Sequence, residues 1–577
     1  MQANKFFKVG NHVRRAGIML LASFAIPVAI FWQSAPAAEA DEVHLTFIHL
    51  NDIYEVTPVS GGTQGGIARV ATLKKQLLAE NPNTYITLSG DIYGPSGLSN
   101  AAIVNGEPLG GEHVVAVLNK VGIDYFIFGD HEFDQFSAKQ VLQRFEETTF
   151  PMISSNYADA EGNPFQQSDA SGATIDIPKN AIFTATNATG TASVRVGIFG
   201  VTEPFRNSDL EVTYTEWEPA TTEQVAELTG GDAPVDILIA MTHFKRSIDK
   251  EIAAIFPNID LILGGDDHEH MKLEQEGLAP IYKSDSNARN NYIIDLYYDT
   301  ATGELRIEDR VQPITDAITD DPEVLAEVDK WVEIGFDALR QQGIKPERMV
   351  ALAPFDLDGF ATSMRNRQTE LTLLILRGIN NVTHADMSML PAGFLRLDDL
   401  LPAGGKVTEY DTVRAFPTDY EPVSVQMLGS VLQEQLEDGD KGRGAGEFQL
   451  LTDDVTRDED GTWRFNDEPI EPTRTYLVGI VKYLANFFSS MEGMLVAFAD
   501  GEFIKTSGTT TRQVMMDQIA KGCAATYYPE SGRLEVPCIQ INGETKPHYK
   551  ALIVPKTGNY TEQLSATRVK KIGANKE

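Results

Sequence analysis

The stretch DYFIFGDHEFD, residues 124–134, decides the fold class of this chain. Its first half is an apolar, aromatic run of the kind that forms a buried β-strand. Its second half places Asp130, His131 and Asp134 directly after that strand. In open α/β sheets, ligands bind at the carboxyl ends of the strands. The stretch therefore predicts an α/β sheet in which the end of this strand carries part of a functional site.

Four more segments repeat this arrangement of an apolar strand followed by acids or histidine. They are LTFIHLND (residues 45–52), YITLSGD (85–91), DILIAMTH (236–243) and DLILGGDDH (260–268). Helical stretches such as residues 67–80 lie between them, and strands that alternate with helices predict an α/β fold. A single Asp at a strand end is more often a turn or cap residue. Five such ends at one sheet edge instead predict a hydrolytic metal centre.

Charge and the N-terminal residues indicate the setting in which the protein works. The 577 residues carry a formal net charge of -35, which disfavours nucleic-acid polymers and anionic membrane surfaces as partners. A basic start, an apolar run and Ala38-Glu39-Ala40 predict that residues 1–40 are a signal peptide, cleaved before Asp41. We therefore expect a periplasmic or secreted monomer with no membrane span after cleavage.

The alternation of strands and helices breaks after residue 313. A polar helix is predicted over residues 320–343, which open with Asp-Asp-Pro and close with Gly. We expect a catalytic domain over residues 41–315, a linker helix over 316–345, a second domain over 346–556 and a tail over 557–577. Cys523 and Cys538 would pair in an oxidising compartment, and the sequence leaves that pairing open.

These segments resemble the metallophosphoesterase superfamily, in particular its bacterial 5′-nucleotidase/UDP-sugar hydrolase family. GDHEFD is similar to the GNHEFD of that family, and GGIARVATL (65–73), LNKVGIDY (118–125) and SSNY (154–157) are similar to other family segments. ADMSMLPAGFLR (385–396) and TRTYLVGIVKYLA (473–485) resemble its C-terminal substrate domain. The resemblance implies an α/β fold with a four-layer N-terminal β-sandwich flanked by helices, and a smaller C-terminal α/β domain.

The resemblance also implies a centre of two divalent metal ions and assigns its residues. Asp91 would bridge the ions, Asp52 and His268 would bind the first ion, and Asp130, His243 and Asp266 would bind the second. His131 would act on the leaving group, with Asp134 orienting its ring. A hydroxide that bridges the ions would attack the phosphorus in line.

Three positions depart from the family pattern. Tyr54 stands where the family has a histidine ligand, Asp130 stands in place of Asn, and Asp266 in place of His. The register of the last position is open, because the adjacent Asp267 could be the ligand instead. Together with the two carboxylates of the family pattern, four carboxylates would then surround the ions. Hard, oxygen-rich sites favour Mn²⁺ or Mg²⁺ over Zn²⁺, and also suit Ca²⁺.

The substrate is expected to be a small phosphate ester such as a nucleotide. By resemblance, Arg365 or Arg367 and also Arg396 would contact it, and Phe416 lies near the position of a family aromatic that stacks on the base. Two alternatives stay open. One is a non-catalytic relative that binds metal or ligand through the altered site. The other is a thiosulfate-ester hydrolase built on the same scaffold.

Overall fold

A computed structural model describes residues 41–205, 209–353 and 355–522, together with the backbone of short strands between residues 526 and 553. The predicted signal peptide, both cysteines and the predicted tail lie outside the described residues. No helix within the described residues is long and apolar enough to cross a membrane.

The first large sheet contains the strand predicted within residues 124–134. Its six strands lie in the order Glu304–Pro313, Asn290–Asp299, Glu42–Leu50, Thr84–Ser89, Tyr125–Ile127 and Met152–Ile153. The last four run parallel to one another. Because their carboxyl ends share one edge, the loops that follow them meet there.

The second large sheet is built in the same way from later parts of the chain. Its strands lie in the order Asn180–Thr186, Ser193–Thr202, Ile237–His243, Leu261–Gly264, Ile281–Lys283 and Met271–Leu273. The four central strands are parallel. Their carboxyl ends bring a second group of loops to one edge.

The two sheets pack face to face, and helices cover both outer faces. Phe47, Ile127, Val196 and Ile239 belong to the apolar core between the sheets. The helices Ile67–Glu80, Glu112–Val121 and Ala138–Glu147 pack on the first sheet, and Trp217–Thr229 and Arg246–Ile255 on the second. This arrangement confirms the predicted four-layer α/β fold.

A long helix, Pro322–Gln341, follows the second sheet. It begins where the Asp321 side chain accepts hydrogen bonds from the backbone N–H groups of Glu323 and Val324, both at 3.2 Å. The buried side chains of Val328 and Trp331 attach it to the core of the first sheet. A helix was predicted here, whereas its role as a linker between domains remains a prediction.

The region after this helix forms a smaller mixed sheet with its own apolar cores, as predicted. Its strands lie in the order Gln449–Leu451, Met387–Pro391, Thr475–Val481, Pro422–Leu428 and Ile504–Thr506. Its helices are Glu370–Thr383, Glu409–Ala415, Gly429–Lys441, Lys482–Ser489 and Thr511–Gly522. The loop over residues 396–399 reaches back to the large sheets, where it contacts the candidate site.

Candidate metal centre

The structure brings the five predicted segments together. Carboxylate and imidazole atoms of Asp52, Asp91 and His243 lie within 4.8 Å of one another, and so do those of Asp91, Asp130 and His131. The two sheet edges are joined at Ser89, whose hydroxyl donates to the carbonyl of Leu263 at 2.8 Å. The site therefore lies where the carboxyl ends of both parallel strand sets meet.

The backbone of the site is held in an uncommon conformation. Asp52, Asp91, Asp266 and His268 have φ values of 55°, 60°, 75° and 54°, in the left-handed region that non-glycine residues seldom adopt. Such residues cost free energy and cluster at functional sites. Gly129 also has no room for a side chain, because a Cβ there would lie 2.1 Å from Asp91 Oδ1.

Glu132 fixes the two loops that carry most of the acids. Its buried carboxylate accepts hydrogen bonds from the backbone N–H groups of Asp91, Ile92, Tyr93 and Gly129, at 2.9, 2.7, 3.2 and 2.5 Å. One side chain therefore holds the loop after Thr84–Ser89 against the loop after Tyr125–Ile127. Glu132 lies within the GDHEFD motif, but its role depends on contacts that the motif alone does not show.

The second predicted ion position contains buried polar atoms without partners. His243 Nδ1 donates to the carbonyl of Ser89 at 2.8 Å, so in the neutral imidazole the lone pair is on Nε2, which faces the acids. Carboxylate oxygens of Asp91 and Asp130 lie 3.5 and 3.7 Å from Nε2, beyond normal hydrogen-bond distance. Neither Nε2 nor Asp266 Oδ2 has a hydrogen-bond partner among the residues that the structure describes. These donors fit a divalent ion.

The neighbouring Asp267 is engaged elsewhere. Its Oδ2 accepts from Lys283 Nζ at 2.6 Å and from the backbone N–H of Arg246 at 2.9 Å. Lys283 is buried and also pairs with Asp249 at 2.7 Å. The geometry therefore favours Asp266 over Asp267 as the candidate ligand.

The first predicted ion position is occupied by the hydroxyl of Tyr54. This oxygen lies 2.7 Å from Asp91 Oδ2, 3.2 Å from His268 Nε2 and 3.3 Å from Asp52 Oδ1. Burial and the charges of Asp91 and Asp52 raise the pKa of Tyr54, so the phenol is neutral. As described, this position does not fit an ion in the way that the second one does.

His131 and Asp134 form the predicted pair. His131 Nδ1 bonds to Asp134 Oδ1 at 3.0 Å, and Gln135 donates to the same carboxylate at 2.7 Å. Burial opposes the charged imidazole, but the charges of Asp130 and Asp91 raise the pKa of His131 to about 10. With Nδ1 held by Asp134, Nε2 is the atom that remains for a substrate.

Acidic groups dominate the electrostatics around these residues. Burial opposes the charged form of His268, yet the charges of Asp52 and Asp398 raise its pKa to about 9. Burial, with the charges of Asp266 and Asp130, raises the pKa of Glu203 to about 8. Glu203 is thus a further carboxyl group near the second position, and no motif in the sequence indicates it.

The C-terminal region contributes directly to the site. A small pocket beside Tyr54 and His268 is lined by Arg365 and Arg396, two of the predicted substrate-binding residues. Asp398 Oδ2 accepts from His268 Nδ1 at 3.0 Å, and nothing in the sequence pattern indicated this contact. The two regions of the chain therefore share one site.

The structure does not bring Arg367 and Phe416 to that pocket. Arg367 is exposed and pairs with Asp358 at 2.6 Å. The ring of Phe416 is completely buried in the apolar core of the C-terminal region. In this position the ring of Phe416 has no exposed face, so it does not stack on a base as expected.

Comparison with known proteins agrees with this geometry. Residues 45–270 match the family model for calcineurin-like phosphoesterases, and residues 351–493 match that for the 5′-nucleotidase C-terminal domain. The chain is 25% identical over 465 residues to a 5′-nucleotidase of Homo sapiens and 24% identical to one of Bos taurus. Each alignment covers 73% of this chain and 75% of the relative.

Solved structures share the fold. A 5′-nucleotidase precursor from Thermus thermophilus superposes with a TM-score of 0.64 at 19% identity, covering 83% of this chain and 96% of the other. A 5′-nucleotidase from Candida albicans has a TM-score of 0.54 at 12% identity, covering 83% and 98%. At these identities the likeness supports the two-domain architecture.

Proposed function

The chain belongs to the calcineurin-like phosphoesterases that carry a 5′-nucleotidase C-terminal domain, and from that premise we propose that it hydrolyses nucleotides or related small phosphate monoesters outside the cytoplasm. The family hydrolyses phosphate esters with metal ions, so the chain is a metal-dependent phosphoesterase. The substrate, the place of action and the roles of single residues are what the proposal adds.

One observation carries the proposal. The His131–Asp134 pair, with its bond of 3.0 Å, lies beside His243 Nε2 and Asp266 Oδ2, which have no hydrogen-bond partner in the part of the chain that the structure describes. The arginines of the neighbouring pocket, Arg365 and Arg396, come from the C-terminal region. An acid for the leaving group, metal ligands and cations for the phosphate are what hydrolysis of a phosphate monoester needs.

The proposed roles follow from this placement. Asp91 and Asp130, whose oxygens lie 3.5 and 3.7 Å from His243 Nε2, hold a divalent ion together with His243 and Asp266, and the ion supplies Lewis acidity at the phosphate when bound. His131 offers Nε2 to the departing oxygen while Asp134 fixes the plane of its ring. Arg365 and Arg396, which line the neighbouring pocket, bind the substrate.

Manganese or magnesium is the proposed cofactor in preference to zinc, with calcium also acceptable. The candidate ligands of the second position are three carboxylates and a single imidazole, a hard and oxygen-rich set. Stoichiometric zinc in the purified protein, with activity lost only on zinc removal, would refute this preference.

Export and domain division are also part of the proposal. The N-terminal sequence has the features of a signal peptide, and one relative of known structure is described as a precursor. We retain a catalytic domain over residues 41–315 and a substrate domain over 346–556, joined by residues 316–345. Sequencing the N-terminus of protein recovered outside the cytoplasm tests the predicted start at Asp41.

A panel of substrates tests the reaction itself. The metal-stripped protein is given Mn²⁺, Mg²⁺, Ca²⁺ or Zn²⁺ in turn, with 5′-AMP, UDP-glucose, p-nitrophenyl phosphate and a thiosulfate ester. We expect 5′-AMP hydrolysis with Mn²⁺ or Mg²⁺, and none in Asp91→Ala. Hydrolysis of the thiosulfate ester alone, or metal binding without any hydrolysis by the folded protein, would refute the proposal.

A further inference from the structure

The hydroxyl of Tyr54 lies among three atoms that the sequence assigned to the first metal ion. Its distances to atoms of Asp91, His268 and Asp52 run from 2.7 to 3.3 Å. Oxygen and nitrogen ligands lie about 2.0–2.3 Å from a small divalent ion. An ion at that distance from all three atoms would overlap the phenol oxygen or bind it directly.

One oxygen of the Asp52 carboxylate is used by hydrogen bonds within the protein. Its Oδ2 accepts from Asn51 Nδ2 at 2.7 Å and from the backbone N–H of Asp266 at 3.0 Å. Its Oδ1 lies 3.3 Å from both the Tyr54 hydroxyl and His268 Nε2. Two donors therefore engage Oδ2, while Oδ1 faces the Tyr54 hydroxyl and His268 Nε2.

His268 is bonded at both ring nitrogens. Nδ1 bonds to Asp398 Oδ2 at 3.0 Å, and Nε2 lies 3.2 Å from the Tyr54 hydroxyl. A metal-binding histidine needs one nitrogen that no protein group occupies. The second ion position differs, because His243 Nε2 and Asp266 Oδ2 lack hydrogen-bond partners among the described residues.

We propose that this chain holds a single divalent ion, at Asp91, Asp130, His243 and Asp266, and that the Tyr54 hydroxyl takes the place of the other ion. The phenol donates to Asp91 and joins Asp52 and His268 in one hydrogen-bonded cluster. Tyr54 is then a positioning residue that fixes the orientation of Asp91 toward the remaining ion.

Metal counting tests this inference. The purified protein is equilibrated with excess Mn²⁺, freed of unbound ions and analysed by mass spectrometry and electron paramagnetic resonance. We expect about one ion per chain and the hyperfine pattern of an isolated Mn²⁺, rather than the broadened signal of a coupled pair. Two tightly bound ions in the wild-type protein would overturn the proposal.

The variant Tyr54→His restores the nitrogen ligand of the family pattern. Its ion count should rise from about one to about two, with spin coupling between them. Tyr483→His is the matched control, because Tyr483 is 65% exposed and an added histidine there should leave the count unchanged. If Tyr54→His does not fold, the wild-type count still decides.

Tyr54→Phe tests whether the phenol oxygen itself binds an ion. A loss from two ions in the wild type to one in Tyr54→Phe would show that the phenol is itself a ligand, and would refute the inference. The inference rests on the proposed metal site but not on turnover. One ion with no hydrolysis would refute the proposed function alone, whereas two ions with full activity would refute only the single-ion centre.

Discussion

The two ion positions predicted from the sequence share Asp91 but differ in how the protein uses their remaining donor atoms. Around Tyr54, the polar atoms of Asp52 and His268 are hydrogen-bonded within the protein. Around His243, Nε2 and the nearby Asp266 Oδ2 are buried and lack such partners among the described residues. Folded proteins seldom leave buried polar atoms unpaired, so the second group indicates a ligand and the first does not.

The largest expected effect is that of His243→Gln, which is compared with that of His49→Gln. Both histidines are buried, but His49 bonds to Thr87 Oγ1 at 3.1 Å and to the Gly264 carbonyl at 2.9 Å. Losing the ion should remove several kcal/mol of transition-state stabilisation, about 10³-fold or more in rate. We therefore expect His243→Gln to lose bound metal and phosphatase activity, as measured by metal analysis and 5′-AMP hydrolysis.

The matched variant His49→Gln should keep its metal and lose only stability. Breaking its buried hydrogen bonds costs about 1–3 kcal/mol, which urea unfolding would measure. If the folded His49→Gln protein lost metal as completely as His243→Gln, partnerless nitrogens would no longer distinguish a ligand from a structural histidine.

His131→Asn tests the group that acts on the leaving oxygen. General acid catalysis contributes roughly 10²–10⁴-fold in rate, so kcat for 5′-AMP should fall by that factor. The fall should be smaller for p-nitrophenyl phosphate, whose leaving group needs less protonation. The metal count should not change, because His131 Nδ1 bonds to Asp134 rather than to an ion.

Asp134→Asn is the companion variant and should lower kcat less than His131→Asn, since it removes only the group that orients the ring. An equal fall for both phosphate esters, or a loss of metal in His131→Asn, would mean that His131 is a ligand instead.

Asp398→Asn, a substitution in the C-terminal region, tests whether His268 binds an ion. Asp398 accepts from His268 Nδ1 at 3.0 Å and from the backbone N–H of Ala361 at 2.9 Å, and it is buried with Arg289. Removing a buried charge from such a cluster costs about 3–5 kcal/mol of unfolding free energy. Because His268 holds no ion in the single-ion centre, we expect no change in Mn²⁺ affinity by calorimetry.

The opposite result would indicate that the chain binds the first ion as well. A partner that orients a metal-binding histidine typically contributes about 10–100-fold in metal affinity. If Asp398→Asn weakened Mn²⁺ binding by that factor, His268 would be a ligand, and the single-ion centre would be wrong.

The sequence predicted which segments meet but not how their side chains pair. An apolar strand followed by Asp or His is a local pattern, so the convergence of Asp52, Asp91, Asp130, His243 and Asp266 could be predicted. The choice between Asp266 and Asp267 depends on Lys283, which comes from another strand. Asp398 reaches His268 across 130 residues of chain. Contacts of this kind leave no periodic signal in a single sequence.

Tyr54 shows the same limit. The sequence shows that Tyr54 departs from the family motif, but not what takes the place of the missing histidine ligand. The structure instead places its hydroxyl among the ligand atoms themselves. Predicting this needed the distances between three loops, which residue identity alone does not contain.

The smallest expected effect concerns a buried histidine without acids around it. His113 Nδ1 also lacks a partner in the described part of the chain, yet burial and Arg144 lower the pKa of His113 to about 3. An unfolded histidine titrates near 6.5, so below that pH the unfolded chain binds a proton that the folded chain does not. Lowering the pH from 7 to 5 should therefore cost about 2 kcal/mol of stability through this residue. Other groups titrate in the same range, so urea unfolding at both pH values should be compared with His113→Leu, which is expected to lose about 2 kcal/mol less.

Equal losses of stability in the wild-type protein and in His113→Leu would contradict the lowered pKa of His113. Metal retained by His113→Leu at the wild-type level would show that the partnerless nitrogen of His113, unlike that of His243, is not a ligand.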